Sequence, residues 1–169
     1  MKQSLARTIR IPGLPIVHLV RSLLIAVALL AVAGASVGAT SRGDSTVTRL
    51  TLDGVAFHPE LALTSESRAR GLMSRRKAPA DGMLFVFRDP ASGGFWMKNT
   101  LVPLTIIFFD ASGKRVRRMS MVPCREDPCK IYDPGRRYRL ALELRATDRR
   151  TAQRLGPQST IRRLISQAE

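Results

Sequence analysis

The first 41 residues constrain this chain most, because they are typical of an export signal and are not expected to join a folded core. Residues 1–21 carry four basic side chains and no acidic one, and residues 22–41 carry no charge. A basic start followed by an apolar stretch that ends in small residues is the pattern of a secretory signal peptide. We predict a signal peptide over residues 1–39 that is cleaved after about Ala39, a flexible leader over 40–46 and one folded domain over 47–169.

An uncleaved membrane anchor is the alternative for the same segment. A helix of about twenty uncharged residues would just cross the ~30 Å hydrocarbon layer of a bilayer. In either case the basic residues hold the N-terminus in the cytoplasm, so we expect the domain to be exported to the periplasm or the cell exterior.

The charge of the chain belongs to the predicted domain itself. The chain has 28 basic and 13 acidic residues, and the predicted mature part keeps 24 and 13, a net charge of about +11. This balance favours an anionic partner, which beyond the membrane means a small molecule, an envelope polymer or an anionic membrane surface rather than nucleic acid. Solubility alone is the alternative explanation.

Apolar runs and turn dipeptides predict a β-dominated α+β domain, with a single compact, mostly antiparallel and barrel-like sheet and one or two short helices. The runs Met83–Phe87 and Leu101–Phe109 are continuous, as in strands buried on both faces. Residues 138–144 alternate between apolar and polar side chains, as in a half-buried strand. Asp53-Gly54 is typical of a hairpin turn, and Thr64 is a good helix N-cap.

Two elements are predicted near the C-terminus. Residues 147–155 have the length of a short helix, which Gly156-Pro157 would end. Residues 160–165 are expected to add a final strand.

The segment Phe95–Thr100, with the sequence FWMKNT, combines a large aromatic surface with polar groups and follows two glycines. Trp96 could stack on a planar or sugar-like face, Lys98 could pair with an anion, and Asn99 could form hydrogen bonds. The alternative is that Phe95 and Met97 pack inward while Asn99-Thr100 only turns the chain.

Cys124 and Cys129 are the only two cysteines of the chain. In an exported protein a disulfide is the expected state, and it would shape the acidic loop residues Glu126 and Asp127. A redox-active pair is the alternative, although thiol oxidoreductases usually have two residues between their cysteines rather than four.

Other chemistry finds little support in the sequence. His58 is the only histidine of the predicted mature chain, and two thiols alone do not complete a zinc site. We therefore predict no metal site and no cofactor.

Several blocks of the sequence resemble the domain of unknown function 192 family, and the similarity spans about residues 47–165. The blocks are RARGLM at 68–73, GMLFVF at 82–87, FWMKNT at 95–100 and PCREDPC at 123–129. The resemblance implies a compact, β-dominated and often exported domain without a settled activity, in which the FWMKNT segment and the cysteine loop form one shared feature. The chain departs from the family pattern at residues 155–160, where members commonly have a Gly-Asp turn.

These observations favour an exported, non-enzymatic module that binds a small or polymeric anionic ligand. The predicted ligand residues are Trp96, Lys98, Asn99, Glu126 and Asp127. The alternatives are an enzyme of unknown class, such as a thiol-redox enzyme that uses Cys124 and Cys129, and a structural accessory held near the membrane by its charge.

Overall fold

The computed structural model describes residues 50–169. The predicted signal peptide, the leader and the first residues of the predicted domain lie outside this range. Within it, no helix has the length and apolar character needed to cross a bilayer. The strands are β1 (Leu50–Leu52), β2 (Val55–Phe57), β3 (Glu60–Ala62), β4 (Met83–Ala91), β5 (Leu104–Phe109), β6 (Arg115–Met121), β7 (Tyr138–Arg145) and β8 (Leu155–Gly156), and the helices are α1 (Ser65–Arg70) and α2 (Gln158–Gln167).

The strands form two sheets. The larger sheet has the order β3-β4-β7-β5-β6 and the smaller one β2-β1-β8. Every pairing is antiparallel except that of β3 with β4. The predicted β-dominated α+β class with short helices is confirmed. The strands divide between two sheets rather than one, and the described part of the chain forms no closed barrel, because β3 and β6 remain at opposite edges.

Local sequence explains the first hairpin and the first helix. Asp53 and Gly54 both adopt positive φ angles, 51° and 85°, as a two-residue hairpin turn requires, and they join β1 to β2. Thr64 is the N-cap of α1, where its hydroxyl accepts a hydrogen bond from the backbone N–H of Ser67.

The core lies on both faces of the larger sheet. Strand β7, which the alternating pattern predicted to be half-buried, is buried on both faces because each face packs into its own part of the core. One face packs against the smaller sheet and α2. The other face is covered by residues from and next to the family blocks, among them Leu72, Met97 and, just after the cysteine block, Tyr132.

The two predictions near the C-terminus were wrong. Residues 147–154 form no helix, because the side chain of Asp53 accepts hydrogen bonds from three groups within 151–154 and the main chain of this stretch bonds to neighbouring segments. Residues 160–165 lie in α2 rather than in a strand. Ile161, Leu164 and Ala168 are buried at helical spacing, so their contact with the core selects the helix.

Candidate functional site

The FWMKNT segment crosses the surface with alternate side chains inward and outward. Phe95 packs edge-to-face on Phe85, with 5.0 Å between ring centroids, and Met97 is buried. Trp96 is 48% exposed and Lys98 is partly exposed. The segment is held in place by Tyr132, whose backbone N–H donates to the oxygen of Phe95 over 2.7 Å and whose oxygen accepts from the Phe95 N–H over 3.2 Å.

Asn99 has a structural role in this segment. Its φ is 57°, in the left-handed region that asparagine tolerates better than most residues. Its backbone oxygen accepts a hydrogen bond from the N–H of Ser74, and the N–H of Thr100 donates to Met97. The inward packing and the turn that were left open as an alternative are therefore present, while Trp96 and Lys98 face outward.

The cysteine loop lies directly beside this segment. The sulfur atoms of Cys124 and Cys129 are 2.08 Å apart, so the structure pairs them as a disulfide. The backbone N–H of Cys124 donates to the oxygen of Met97 over 3.3 Å. An ion pair also joins the segment to the loop, because the Nζ of Lys98 lies 2.8 Å from a carboxylate oxygen of Asp127. The segment and the loop thus form one continuous surface.

Lys98 is the centre of this surface. Its Nζ lies 5.7 Å from the centre of the Trp96 ring, within the range of a cation–π contact. Its ion pair with Asp127 is exposed at both ends, 41% and 63%, and pairs of that kind contribute about 1 kcal/mol or less. An incoming anion could therefore replace the Asp127 carboxylate at little cost. Within residues 50–169, the side chains of Asn99 and Glu126 make no hydrogen bond to this group.

A cleft of about 240 Å³ opens on the loop side of the segment. Met97 and Tyr132 form its apolar wall, and Arg125 and Lys130 are exposed along it. The Nζ of Lys130 lies 5.1 Å from the centre of the Tyr132 ring. Glu126 also lines the cleft and is exposed, so two cations and one carboxylate border it beside the surface centred on Lys98.

A smaller cleft of about 40 Å³ is lined by Trp96 and shares no residue with the first cleft, and sequence reasoning missed it. Its walls come from the RARGLM, GMLFVF and FWMKNT blocks, and it reaches Glu143 of strand β7. Glu143 is 5% exposed, and burial raises the pKa of its carboxyl from 4.5 to about 8. One signal in the sequence could have indicated this cleft: an acidic residue, Glu143, in a strand that pairs with the two continuous apolar strands β4 and β5.

Comparison with known proteins gives a family but no activity. A family model described as DUF192, an uncharacterized ACR, matches residues 48–157. A solved structure of a protein of unknown function from Novosphingobium aromaticivorans DSM 12444 is 30% identical, with a TM-score of 0.53 over 60% of this chain and 74% of that chain. A Sinorhizobium meliloti 1021 protein, described by a proposed role as a transcription regulator, is 32% identical, with a TM-score of 0.58 over 67% of this chain and 95% of that chain. No curated protein matches the chain.

Proposed function

The chain belongs to the DUF192 family, and we propose that it is an exported, non-enzymatic binding module of the periplasm or envelope. Its ligand is a small or polymeric anion, bound at the surface formed by Trp96, Lys98 and Asn99 and bordered by the cysteine loop. The observation that carries the proposal is the contact series from the Trp96 ring to Lys98 and on to Asp127.

The arrangement supports an anion with a flat or sugar-like body. The exposed indole offers a face for stacking, and the adjacent ammonium group offers a charge. Arg125 and Lys130 extend the positive charge along the neighbouring cleft, which suits a polymer with repeated charges. The disulfide fixes the short loop that carries the competing carboxylate of Asp127.

Titration with polygalacturonate and with citrate, followed through the fluorescence of Trp96, tests the proposal. Trp96 is the only tryptophan of the chain, so the signal reports binding next to this residue, and the Lys98 and Asp127 variants assign it to this surface. Because Asp127 competes for Lys98, Asp127→Asn should tighten binding about two- to fivefold, the effect of losing an exposed ion pair. Lys98→Gln should weaken binding to a similar degree.

Arg162→Gln is the matched control, since Arg162 is an exposed cation on α2 and away from this surface. It should leave the fluorescence titration unchanged. A flat response to both ligands would contradict the proposal. Equal weakening of ligand binding by Arg162→Gln and Lys98→Gln would contradict it as well, because binding would then depend on the net charge of the protein and not on this surface.

Attachment to an anionic membrane surface is the second candidate. Five large apolar side chains are well exposed within residues 50–169, and four of them lie in or next to the two segments of this surface. The four are Trp96, Leu101, Val122 and Ile131. Apolar side chains among cations suit the headgroup region of an anionic bilayer. Binding to phosphatidylglycerol vesicles that falls with salt, without binding to phosphatidylcholine vesicles, would favour this candidate over a soluble ligand.

A further inference from the structure

We propose that the cleft between α1 and Trp96, which shares no lining residue with the cleft at the cysteine loop, is a separate binding site for a small organic carboxylate. The carboxylate of the ligand accepts a hydrogen bond from Glu143 at the inner end of the cleft. This site does not depend on anion binding at the surface around Lys98.

The cleft is built from the distinctive blocks of the chain. Residues 68–73 form one side of it, and Phe85, Phe95, Trp96 and Thr100 form the rest of the wall. Three blocks from one stretch of the chain, residues 68–100, thus meet around the carboxyl group of Glu143, which comes from a distant strand. Such a convergence suits a binding site better than general core packing does.

Glu143 lies among apolar side chains of the larger sheet. On the neighbouring strands it lies opposite Met83 and Ile106, both of which are buried. It takes part in no ion pair among residues 50–169, and burial alone accounts for the change in its pKa. Its carboxyl makes no hydrogen bond with another described residue, yet no fully enclosed side-chain oxygen in residues 50–169 is unsatisfied. The carboxyl oxygens of Glu143 are therefore open to the cleft, where a ligand or solvent group can satisfy them.

The charges around the cleft determine the sign of the ligand. With its raised pKa, Glu143 is protonated at neutral pH and donates a hydrogen bond. The charged side chains that line the cleft with it are Arg68 and Arg70. Arg68 is already bound to the backbone oxygens of Leu63 and Val86, whereas Arg70 is exposed at the mouth. The protonated carboxyl of Glu143 donates a hydrogen bond and Arg70 adds a positive charge, so the cleft favours an anionic hydrogen-bond acceptor over an ammonium group.

The size of the cleft and the residues of its walls restrict the class of ligand further. A volume of about 40 Å³ holds a few water molecules, which is about the size of one carboxylate group. The remainder of the ligand would lie outward, against the exposed ring of Trp96 and the apolar wall of Phe95 and Leu72. The expected ligand is therefore a carboxylate attached to a flat or apolar body.

Three probes of the same shape and different charge test the proposal on the full chain: benzoate, benzamide and benzylamine. Binding is followed by Trp96 fluorescence and by calorimetry from pH 6 to pH 9.5. We expect benzoate to bind most tightly at pH 6. Because ionised Glu143 would repel it, its affinity should fall about thirtyfold by pH 9.5 if the group titrates near pH 8. Benzamide should bind more weakly at pH 6, and benzylamine should not bind there.

Variants separate Glu143 from the rest of the surface. Glu143→Gln keeps a hydrogen-bond donor of the same shape, so benzoate should still bind but should lose the fall above pH 8. Arg70→Gln should weaken benzoate several-fold, whereas Arg162→Gln, which replaces an exposed cation on α2 that lines neither cleft, should not change it.

Three results would overturn the proposal: tighter binding of benzylamine than of benzoate at pH 6, the same pH profile in the wild type and in Glu143→Gln, or no binding of any probe. Lys98 and Asp127 are the same in the wild type and in Glu143→Gln, so the difference between these two proteins reports the cleft alone. Failure here is therefore distinguishable from failure of the surface proposed above.

Discussion

The replacement Glu143→Gln should stabilise the protein and remove much of its sensitivity to alkaline pH. Burial raises the pKa of this carboxyl from 4.5 in the unfolded chain to about 8 in the folded one. Between these values the folded state binds more protons than the unfolded state, so the free energy of unfolding falls as the pH rises. The contribution of Glu143 is complete below pH 4.5 and is lost as the pH rises through 8. Glutamine has nearly the same shape and does not titrate.

The size of the effect follows from the difference between the two pKa values. Each pKa unit corresponds to about 1.4 kcal/mol, so the full span amounts to roughly 5 kcal/mol. At pH 7 most of that loss has already occurred, and the variant should be more stable than the wild type by about 3 kcal/mol. Between pH 5 and pH 9 the wild type should lose about 4 kcal/mol relative to the variant. Water that enters the cleft would reduce these values.

Urea unfolding of both proteins at pH 5, 7 and 9, followed by circular dichroism, measures the difference. Every other titrating group is common to the two chains, so subtraction isolates Glu143. If the free energies of unfolding of the wild type and of Glu143→Gln change with pH in the same way, the reasoning is refuted, because Glu143 would then ionise in the folded protein as it does in water. A variant less stable than the wild type at pH 9 would refute it as well.

Three further predictions concern the framework around the site, and urea unfolding at pH 7 checks each of them. Gly82→Ala should lower the free energy of unfolding by more than about 3 kcal/mol, since the new Cβ would lie 2.1 Å from the backbone oxygen of Glu143. Gly54 has a similar positive φ but open space around it, so Gly54→Ala should cost only about 1 kcal/mol. Equal costs would show that no close contact exists at Gly82. Asp53→Ala should cost about 1–2 kcal/mol, because its carboxylate accepts three hydrogen bonds from residues 151–154, and an unchanged stability would show that they contribute nothing. Reduction of the disulfide should cost about 2 kcal/mol, as expected for a loop this short, and a much larger loss would mean that the bond supports the whole domain.

Strong local signals account for the parts of the fold that the sequence predicts. Asp53-Gly54 can form a tight hairpin turn whatever surrounds it, and the structure has the turn there. The apolar runs around β4 and β5 are too long and too continuous for a surface strand, and both strands lie in the centre of the larger sheet. The position of Cys124 and Cys129 in one short loop similarly anticipates their pairing.

The C-terminal elements could not be predicted because tertiary contacts decide them. Residues 160–165 contain β-branched side chains that suit a strand, yet the helical spacing of Ile161 and Leu164 matches the surface of the core that α2 covers. The stretch before α2 has few apolar residues, and hydrogen bonds to Asp53 fix its course. Both outcomes depend on residues that are distant in the sequence.

Glu143 shows why the candidate cleft was the hardest part to predict. The alternation of residues 138–144 assigns Glu143 to the polar face of a half-buried strand, and taken alone that assignment is sound. The neighbouring strands overturn it, because β4 and β5 present Met83 and Ile106 to that same face. An apolar residue in place of Glu143 would avoid the cost of burying a carboxyl group there. The chain has the carboxyl instead, at a point on this face that a cleft reaches, and this conflict between a residue and its surroundings is the physical reason to expect a ligand there.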